Sequence, residues 1–175
     1  ENYIRVKGEN ISEGEVILSK GHFMDAPSIS LVATMGYDCI PVFCKPIIGI
    51  ISTGDELIPP GFEINNWQIY ESNSFGIADL VRKMGGTPIR YPTVVDSLDI
   101  LRKSLDEAAK NCDLIITSGG VSMGDFDIVR KIISKYTIII TIEEHVLYGG
   151  FGSAITECVS KLNLLNNIKL ISIGI

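Results

Sequence analysis

Three places in the chain gather residue types that can hold an anion. The first is Ser52-Thr53-Gly54-Asp55-Glu56-Leu57, the second a single Asp96, and the third Thr117-Ser118-Gly119-Gly120-Val121-Ser122-Met123-Gly124-Asp125-Phe126-Asp127. Gly119, Gly120 and Gly124 let the backbone turn tightly and come close to a ligand. Successive amides there, ahead of a helix start near Phe126, can cradle a phosphate or another oxyanion. The loop is not a Walker A loop, because GxxxxGK[ST] is absent. Asp55, Glu56, Asp96, Asp125 and Asp127 supply carboxylates, and carboxylates facing an anion make electrostatic sense where a hard cation such as Mg²⁺ lies between them.

Plainer roles compete for the same residues. A glycine pair can simply make a βα turn, Asp96 or Ser97 can cap a helix starting near Leu98, and Asp125 can cap the next. For each acid taken singly the cap or the solvated surface is favoured. Three glycines with Ser118 before them and Ser122 among them, and acids brought to one edge, favour a metal–anion site. Asn73 follows Ser72 at the start of a helical stripe, so its default role is an N-cap. Trp67 and Tyr70 read as packing rather than stacking residues. His22 and His145 have no visible partner and support neither a triad nor a metal cluster. Tyr148-Gly149-Gly150-Phe151-Gly152-Ser153 reads as a tight turn into a helix.

The elements that must position these groups follow from periodicity. Ile47 to Ser52 is a continuous apolar run, as expected of a strand buried on both faces. Ile77, Leu80, Val81 and Met84 recur at helical spacing and end at Gly85-Gly86. Thr87 to Val95 gives a second strand and its exit loop, and Ile100, Leu101, Leu105 and Ala108 form the next helical stripe. Asp113 to Thr117 is a third buried strand, followed by a helix lined by Phe126, Val129 and Ile133. Tyr136 to Ile142 is a fourth strand. Phe151, Ala154, Ile155, Cys158, Val159 and Leu162 are the clearest amphipathic stripe, and Lys169 to Ile173 is a fifth strand. Before this rhythm, Ser28 to Met35 forms a helix with Ile29, Val32 and Met35 on one face and Gly36 to end it.

Alternating strands and helices imply right-handed βαβ units. The expected fold is α/β, a three-layer αβα sandwich in which five strands make one mostly parallel sheet. Loops after strand C-termini then open on a single edge, where ligands bind in such sheets. Glycines, hydroxyls and carboxylates distant in sequence should converge there.

Composition agrees with a globular chain of 175 residues, 46% hydrophobic and 21% charged. Fifteen basic against twenty-one acidic side chains leave a net charge of −6, which disfavours a phosphate-tracking nucleic-acid binder. Cys39, Cys44, Cys112 and Cys158 show neither CxxC pairing nor zinc spacing and read as small buried hydrophobes. No basic and apolar leader is visible and no apolar run is long enough to span a bilayer, so a reducing cytoplasm fits best. The chain opens on Glu1 rather than methionine, as a fragment would.

The segments Ile50-Ile51-Ser52-Thr53-Gly54-Asp55-Glu56-Leu57, Gln68-Ile69-Tyr70-Glu71-Ser72-Asn73-Ser74 and Thr117 to Asp127 together resemble the molybdopterin-binding domain of the MoeA and gephyrin E-domain family, the molybdopterin molybdotransferases. The SGGVSxGDxD pattern favours this branch over MogA-type adenylyltransferases and CinA-type proteins. The resemblance covers about residues 1–133, with Val6-Lys7-Gly8-Glu9-Asn10-Ile11 and the Gly14 to Ala33 stretch matching the segment before that domain. It implies insertion of molybdate into adenylylated molybdopterin with Mg²⁺, which completes the molybdenum cofactor. By motif, Glu56, Asp96 and Asp127 correspond to functional acids that hold Mg²⁺ and molybdate. Thr53, Gly54, Asp55, Asn73, Ser118, Gly119, Gly120, Ser122 and Gly124 correspond to the pocket for the pterin phosphate. The partner implied is a small anionic pterin, with a homodimer by family resemblance and neither nucleic acid nor membrane.

Two departures stand out. Most of the family's N-terminal and lid domains are missing, and after the Asp127 helix there is no PGKP loop. Instead Thr137 to Ile175, with Thr141-Ile142-Glu143-Glu144-His145 and the Tyr148 glycine turn, resembles the C-terminal domain of transketolase-like enzymes. The expected organisation is a partial preceding segment over 1–46, a molybdopterin-binding domain over 47–133, and a transketolase-like βαβ segment over 134–175 that completes or extends the sheet. The activity expected is molybdotransferase-like but incomplete. The alternative is a non-catalytic molybdopterin-binding module or a silent hybrid scaffold.

Overall fold

The computed structural model describes residues 4, 8–95, 97–119, 136–143, 151–163 and 167–174. The chain divides into two compact units, Glu1–Cys44 and Lys45–Ile175.

The first unit carries helix α1, Ala26–Thr34. Asp25 caps it, its carboxylate accepting from the Ser28 amide at 2.9 Å and from the Ser28 hydroxyl. Those two bonds hold the Asp25 carboxyl below its ordinary range. His22, expected to lack a partner, has its Nε2 2.8 Å from Ser28 Oγ. Gly36 adopts φ +84°, the left-handed conformation that ends the helix at little cost for glycine. The buried position on α1 is Ser28, while Ile29 and Met35 are exposed. The expected Ile29–Val32–Met35 face is therefore not the buried one.

The second unit begins with β1, Ile47–Ser52, whose last five residues are all buried. Two short strands follow, β2 (Leu57–Ile58) and β3 (Ile69–Tyr70), paired with each other in parallel. Helix α2 (Asn73–Lys83) leads to β4 (Thr87–Arg90), and α3 (Leu98–Asn111) to β5 (Leu114–Ser118). β1 lies between β4 and β5, parallel to both. Successive side chains of a strand point to opposite faces, and β1 shows the consequence. Ile48 and Ile50 pack with Ala78 and Val81 of α2, whereas Ile51 packs with Leu105 and Ala108 of α3. The crossovers β1-α2-β4 and β4-α3-β5 run in opposite directions, so right-handed connections place their helices on opposite faces. The result is the expected three-layer αβα arrangement. At Gly49 the end of α3 packs tightly on the sheet: a Cβ there would sit 3.0 Å from Sγ of the C-cap residue Cys112 and 3.5 Å from Ala108 Cβ.

The last elements are β6 (Ile138–Glu143), α4 (Phe151–Lys161) and β7 (Lys169–Gly174). β6 and β7 pair in parallel over six residues. Ile155, Cys158 and Val159 of α4 form their core with Ile168, Ile139 and Leu170. All five expected strands form, but not as one sheet. Among the described residues they make a three-stranded sheet and a separate β6–β7 pair. The tail closes one face of its own core on α4, and the other face leaves Ile138, Ile140, Ile142 and Ile173 exposed.

Other corrections are local. The buried stripe of α2 is Ser74, Ala78 and Val81, with Ile77 beside it, while Leu80 is 60% and Met84 88% exposed. At 100° per residue Leu80 lies well off the line through positions 74, 78 and 81, and Met84 falls past the last turn. Ile100 is likewise on the outer side of α3, which buries Leu105 and Ala108. Cys39 and Cys44 are exposed, Cys112 is half-buried and only Cys158 is buried as expected. Trp67 and Tyr70, expected to pack, are exposed. No helix among the described residues is long and apolar enough to cross a membrane.

Candidate functional site

The C-terminal ends of β1, β4 and β5 meet at one edge. Beyond the strands proper, Thr53 donates its amide to Ser118 O at 2.9 Å, and Gly54 donates to Val94 O at 3.1 Å. Val94 in turn donates to Ser52 O at 2.9 Å. The loop after β4 therefore returns to β1 and extends the edge past Arg90, with Thr53 and Val94 bridged in parallel.

Several expected site residues come together here. Asn73 Nδ2 donates to Ser118 Oγ at 3.0 Å, across forty-five positions of sequence. Asn73 is not the N-cap it was expected to be. Ser72 takes that position without a side-chain bond, and Asn73 is the first helical residue, so its amide is free to reach β5. Because Ser118 Oγ accepts from Asn73, its own hydrogen remains available to a ligand. Thr53 is 4% exposed, and its hydroxyl has no hydrogen-bond partner among the described residues. A buried hydroxyl left unmatched is costly, so Thr53 Oγ1 is a donor held in reserve behind the edge.

Gly119 has φ +86°, and a Cβ there would lie 2.3 Å from the Thr53 carbonyl oxygen. Only glycine fits, since both the backbone conformation and the close approach exclude a side chain. Gly54 has φ +150°, and a Cβ there would meet the two carboxylate oxygens of Glu56 at 2.6 and 2.7 Å. The Glu56 carboxylate thus lies directly over the backbone at the end of β1. Asp55 is exposed on the same turn.

Asp96, Gly120, Ser122, Gly124, Asp125, Asp127 and His145 lie outside the described residues, as does the helix expected around Phe126, Val129 and Ile133. Among the described residues no three His, Cys, Asp or Glu side chains gather as a metal site would require.

A group that sequence reasoning passed over lies just behind this edge. Glu71 is 3% exposed. Its Oε1 accepts from Ser52 Oγ at 3.0 Å and from the Ser74 amide at 2.7 Å, and its Oε2 accepts from Ser74 Oγ at 2.7 Å. Arg90 Nε donates to Ser74 Oγ at 2.8 Å, its Nη2 lies 3.9 Å from Glu71 Oε2, and its guanidinium stacks 3.3 Å over the Phe75 ring. Burial pushes the Glu71 carboxyl upward, but the Ser74 and Ser52 bonds and the Arg90 charge outweigh it and hold the group below its ordinary range. The signal in the sequence was an acid three residues ahead of a serine at a helix start.

Comparison with known proteins places these features in context. The family described as a probable molybdopterin binding domain matches residues 49–148. A molybdopterin molybdenumtransferase of Bacillus subtilis is 38% identical over 128 residues, covering 73% of this chain and 30% of that protein. A molybdopterin molybdenumtransferase 2 of Mycobacterium tuberculosis is also 38% identical over 128 residues, covering 73% of this chain and 32% of its own length. Among solved structures, the molybdopterin biosynthesis MoeA protein from Pyrococcus horikosii superposes with a TM-score of 0.63 at 28% identity, over 71% of this chain and 32% of that one. The chain spans about a third of the length of the relatives it matches. With the glycine-bearing strand ends and the αβα core both in the matched region, the chain belongs to the molybdopterin-binding domain family.

Proposed function

We propose that the edge formed by Thr53, Gly54, Asn73, Ser118 and Gly119 binds the phosphate end of molybdopterin or its adenylylated form. In this reading the chain serves molybdate insertion during molybdenum cofactor biosynthesis. The observation that carries the proposal is the Asn73–Ser118 bond beside the buried, unmatched Thr53 hydroxyl. Together they place neutral donors at and just beneath a converged strand edge, which suits an anion in a chain of net charge −6. Gly120, Ser122 and Gly124 extend the same cradle by motif, and Asp55 borders it.

Glu56, Asp96 and Asp127 would hold Mg²⁺. The Glu56 carboxylate over Gly54 suits the oxygen-donor preference of that ion, which would offset charge between acids and anion and help to place molybdate. Residues 47–133 form the molybdopterin-binding domain in this reading, 1–46 the segment preceding it, and 134–175 a transketolase-like βαβ extension. The self-contained β6–α4–β7 core supports treating the extension separately. A homodimer and a cytoplasmic location accompany the family reading.

Calorimetric titration of molybdopterin into the full chain tests this. Binding should strengthen with Mg²⁺ and lose that dependence in Asp127→Ala. Thr53→Val keeps the shape and removes the hydroxyl, and should weaken binding about tenfold, the effect of leaving one ligand acceptor unmatched. A chain that does not bind molybdopterin, or binds it regardless of Mg²⁺ and both substitutions, overturns the proposal.

A further inference from the structure

A buried carboxylate is more than α2 needs. A serine or aspartate at the cap position would satisfy the first amides, and a desolvated charge is costly unless matched by several bonds. Glu71 has those bonds, and they tie different elements together. Ser52 is the last residue of β1, Ser74 is the second residue of α2, and Arg90 is the last residue of β4. One carboxylate therefore gathers two strand ends of the sheet and the first turn of α2. Asn73 lies in that turn, between Ser72 at the cap and Ser74 in the clamp, and its amide makes the link to the third strand end at Ser118.

We propose that Glu71 is a positioning residue of this site: it clamps the start of α2 to the end of β1 and so holds the Asn73 amide on Ser118 Oγ. With Asn73 donating to it, Ser118 Oγ keeps its own hydrogen as a donor toward the edge. Arg90 steadies the clamp from the far side, its own position fixed by stacking on Phe75. Only the ligand readout of this proposal rests on the molybdopterin reading; the geometry does not.

A double-mutant cycle tests it on the full chain, with molybdopterin as the titrant. Glu71→Gln and Asn73→Ala should each weaken binding about tenfold. Because Glu71 acts through Asn73, the double variant should bind no more weakly than Asn73→Ala alone. Losses that add independently overturn the proposal. The second readout needs no ligand. The side-chain amide signals of Asn73 in a ¹H–¹⁵N spectrum, identified by their loss in Asn73→Ala, should move toward free-amide positions in Glu71→Gln. Signals that stay in place overturn the proposal, whatever the binding data show. If the parent chain does not bind molybdopterin, the functional reading fails and the amide signals alone decide the role of Glu71. Should Glu71→Gln not fold, Ser52→Ala keeps the carboxylate and cuts only its tie to β1. It should still shift the Asn73 signals and weaken binding about threefold, and no change in either would count against the clamp.

Discussion

At the scale of single residues, the edge divides into groups that the proposed function sets against a ligand and groups that hold them. Thr53, Ser118 and Gly119 belong to the first kind, and local geometry marks them: a close backbone approach at Gly119 and a hydroxyl at Thr53 unmatched among the described residues. Glu71 belongs to the second, and its ionisation links the clamp to pH. Its carboxyl is held below the ordinary value of 4.5, so the folded state favours the ionised form more than the unfolded chain does. Its contribution is therefore complete above pH 4.5 and is lost as pH falls through the depressed folded value. Glu71→Gln, with no proton to bind, should be about 2 kcal/mol less stable than the parent at neutral pH, the scale of bonds to a charged acceptor. That gap should close as the medium is acidified below the usual carboxylate range. Urea unfolding of both chains across the acidic range measures it, and a gap that stays constant would show that the clamp does not depend on the charge.

Elements differ in how plainly the sequence announces them. β1 was legible because Ile47 to Ser52 is apolar throughout, the pattern of a strand covered on both sides. α4 was legible because its stripe is long and regular. The phase of α2 was not: Leu80 and Met84 fit a helical period as well as Ala78 does, and apolar identity alone does not say which line faces the sheet. β2 and β3 are two residues each and carry no periodic signal. The pairing of β6 with β7 rather than with the central sheet is a choice between parallel partners that spacing leaves open. Within the site, the convergence of strand ends was predictable from topology, whereas the Asn73–Ser118 bond was hidden because both an N-cap and a first-turn position read alike from Ser72-Asn73-Ser74. The corrected phase of α2 has a direct consequence. Leu80→Lys should change stability by less than about 0.5 kcal/mol, as for an exposed substitution. Ala78→Leu should cost about 1–3 kcal/mol by overpacking against Ile48 and Ile50. Thermal melts of the two variants decide the matter, and a larger loss from Leu80→Lys would restore the stripe first read from the sequence.

For the whole molecule, every described site residue lies in the second compact unit. So do all three buried clusters: Ile48, Ile50, Ala78 and Val81; Ile51, Val94, Leu105 and Ala108; and Ile155, Cys158, Val159 and Ile168. Among its described residues the first unit holds one nine-residue helix with a single buried serine and leaves Phe23, Tyr37, Val42 and Phe43 exposed. An isolated helix of that length is marginal in water and draws little stability from packing of its own. Apolar burial drives folding, and almost all of it is found in residues 45–175. A chain shortened to 45–175 is therefore expected to fold cooperatively, with an unfolding midpoint in urea close to that of the full chain. It should also keep the Glu71–Ser52–Ser74 clamp and the displaced Asn73 amide signals that report it, because every partner of those groups is retained. Its affinity for molybdopterin should stay within about threefold of the parent, a difference well below the loss of one matched bond. Loss of cooperative unfolding in the shortened chain would mean that residues 1–44 contribute to the core. Retained folding with binding abolished would mean that they complete the site, and in that case the edge built from Thr53 to Gly119 is only part of what the ligand touches.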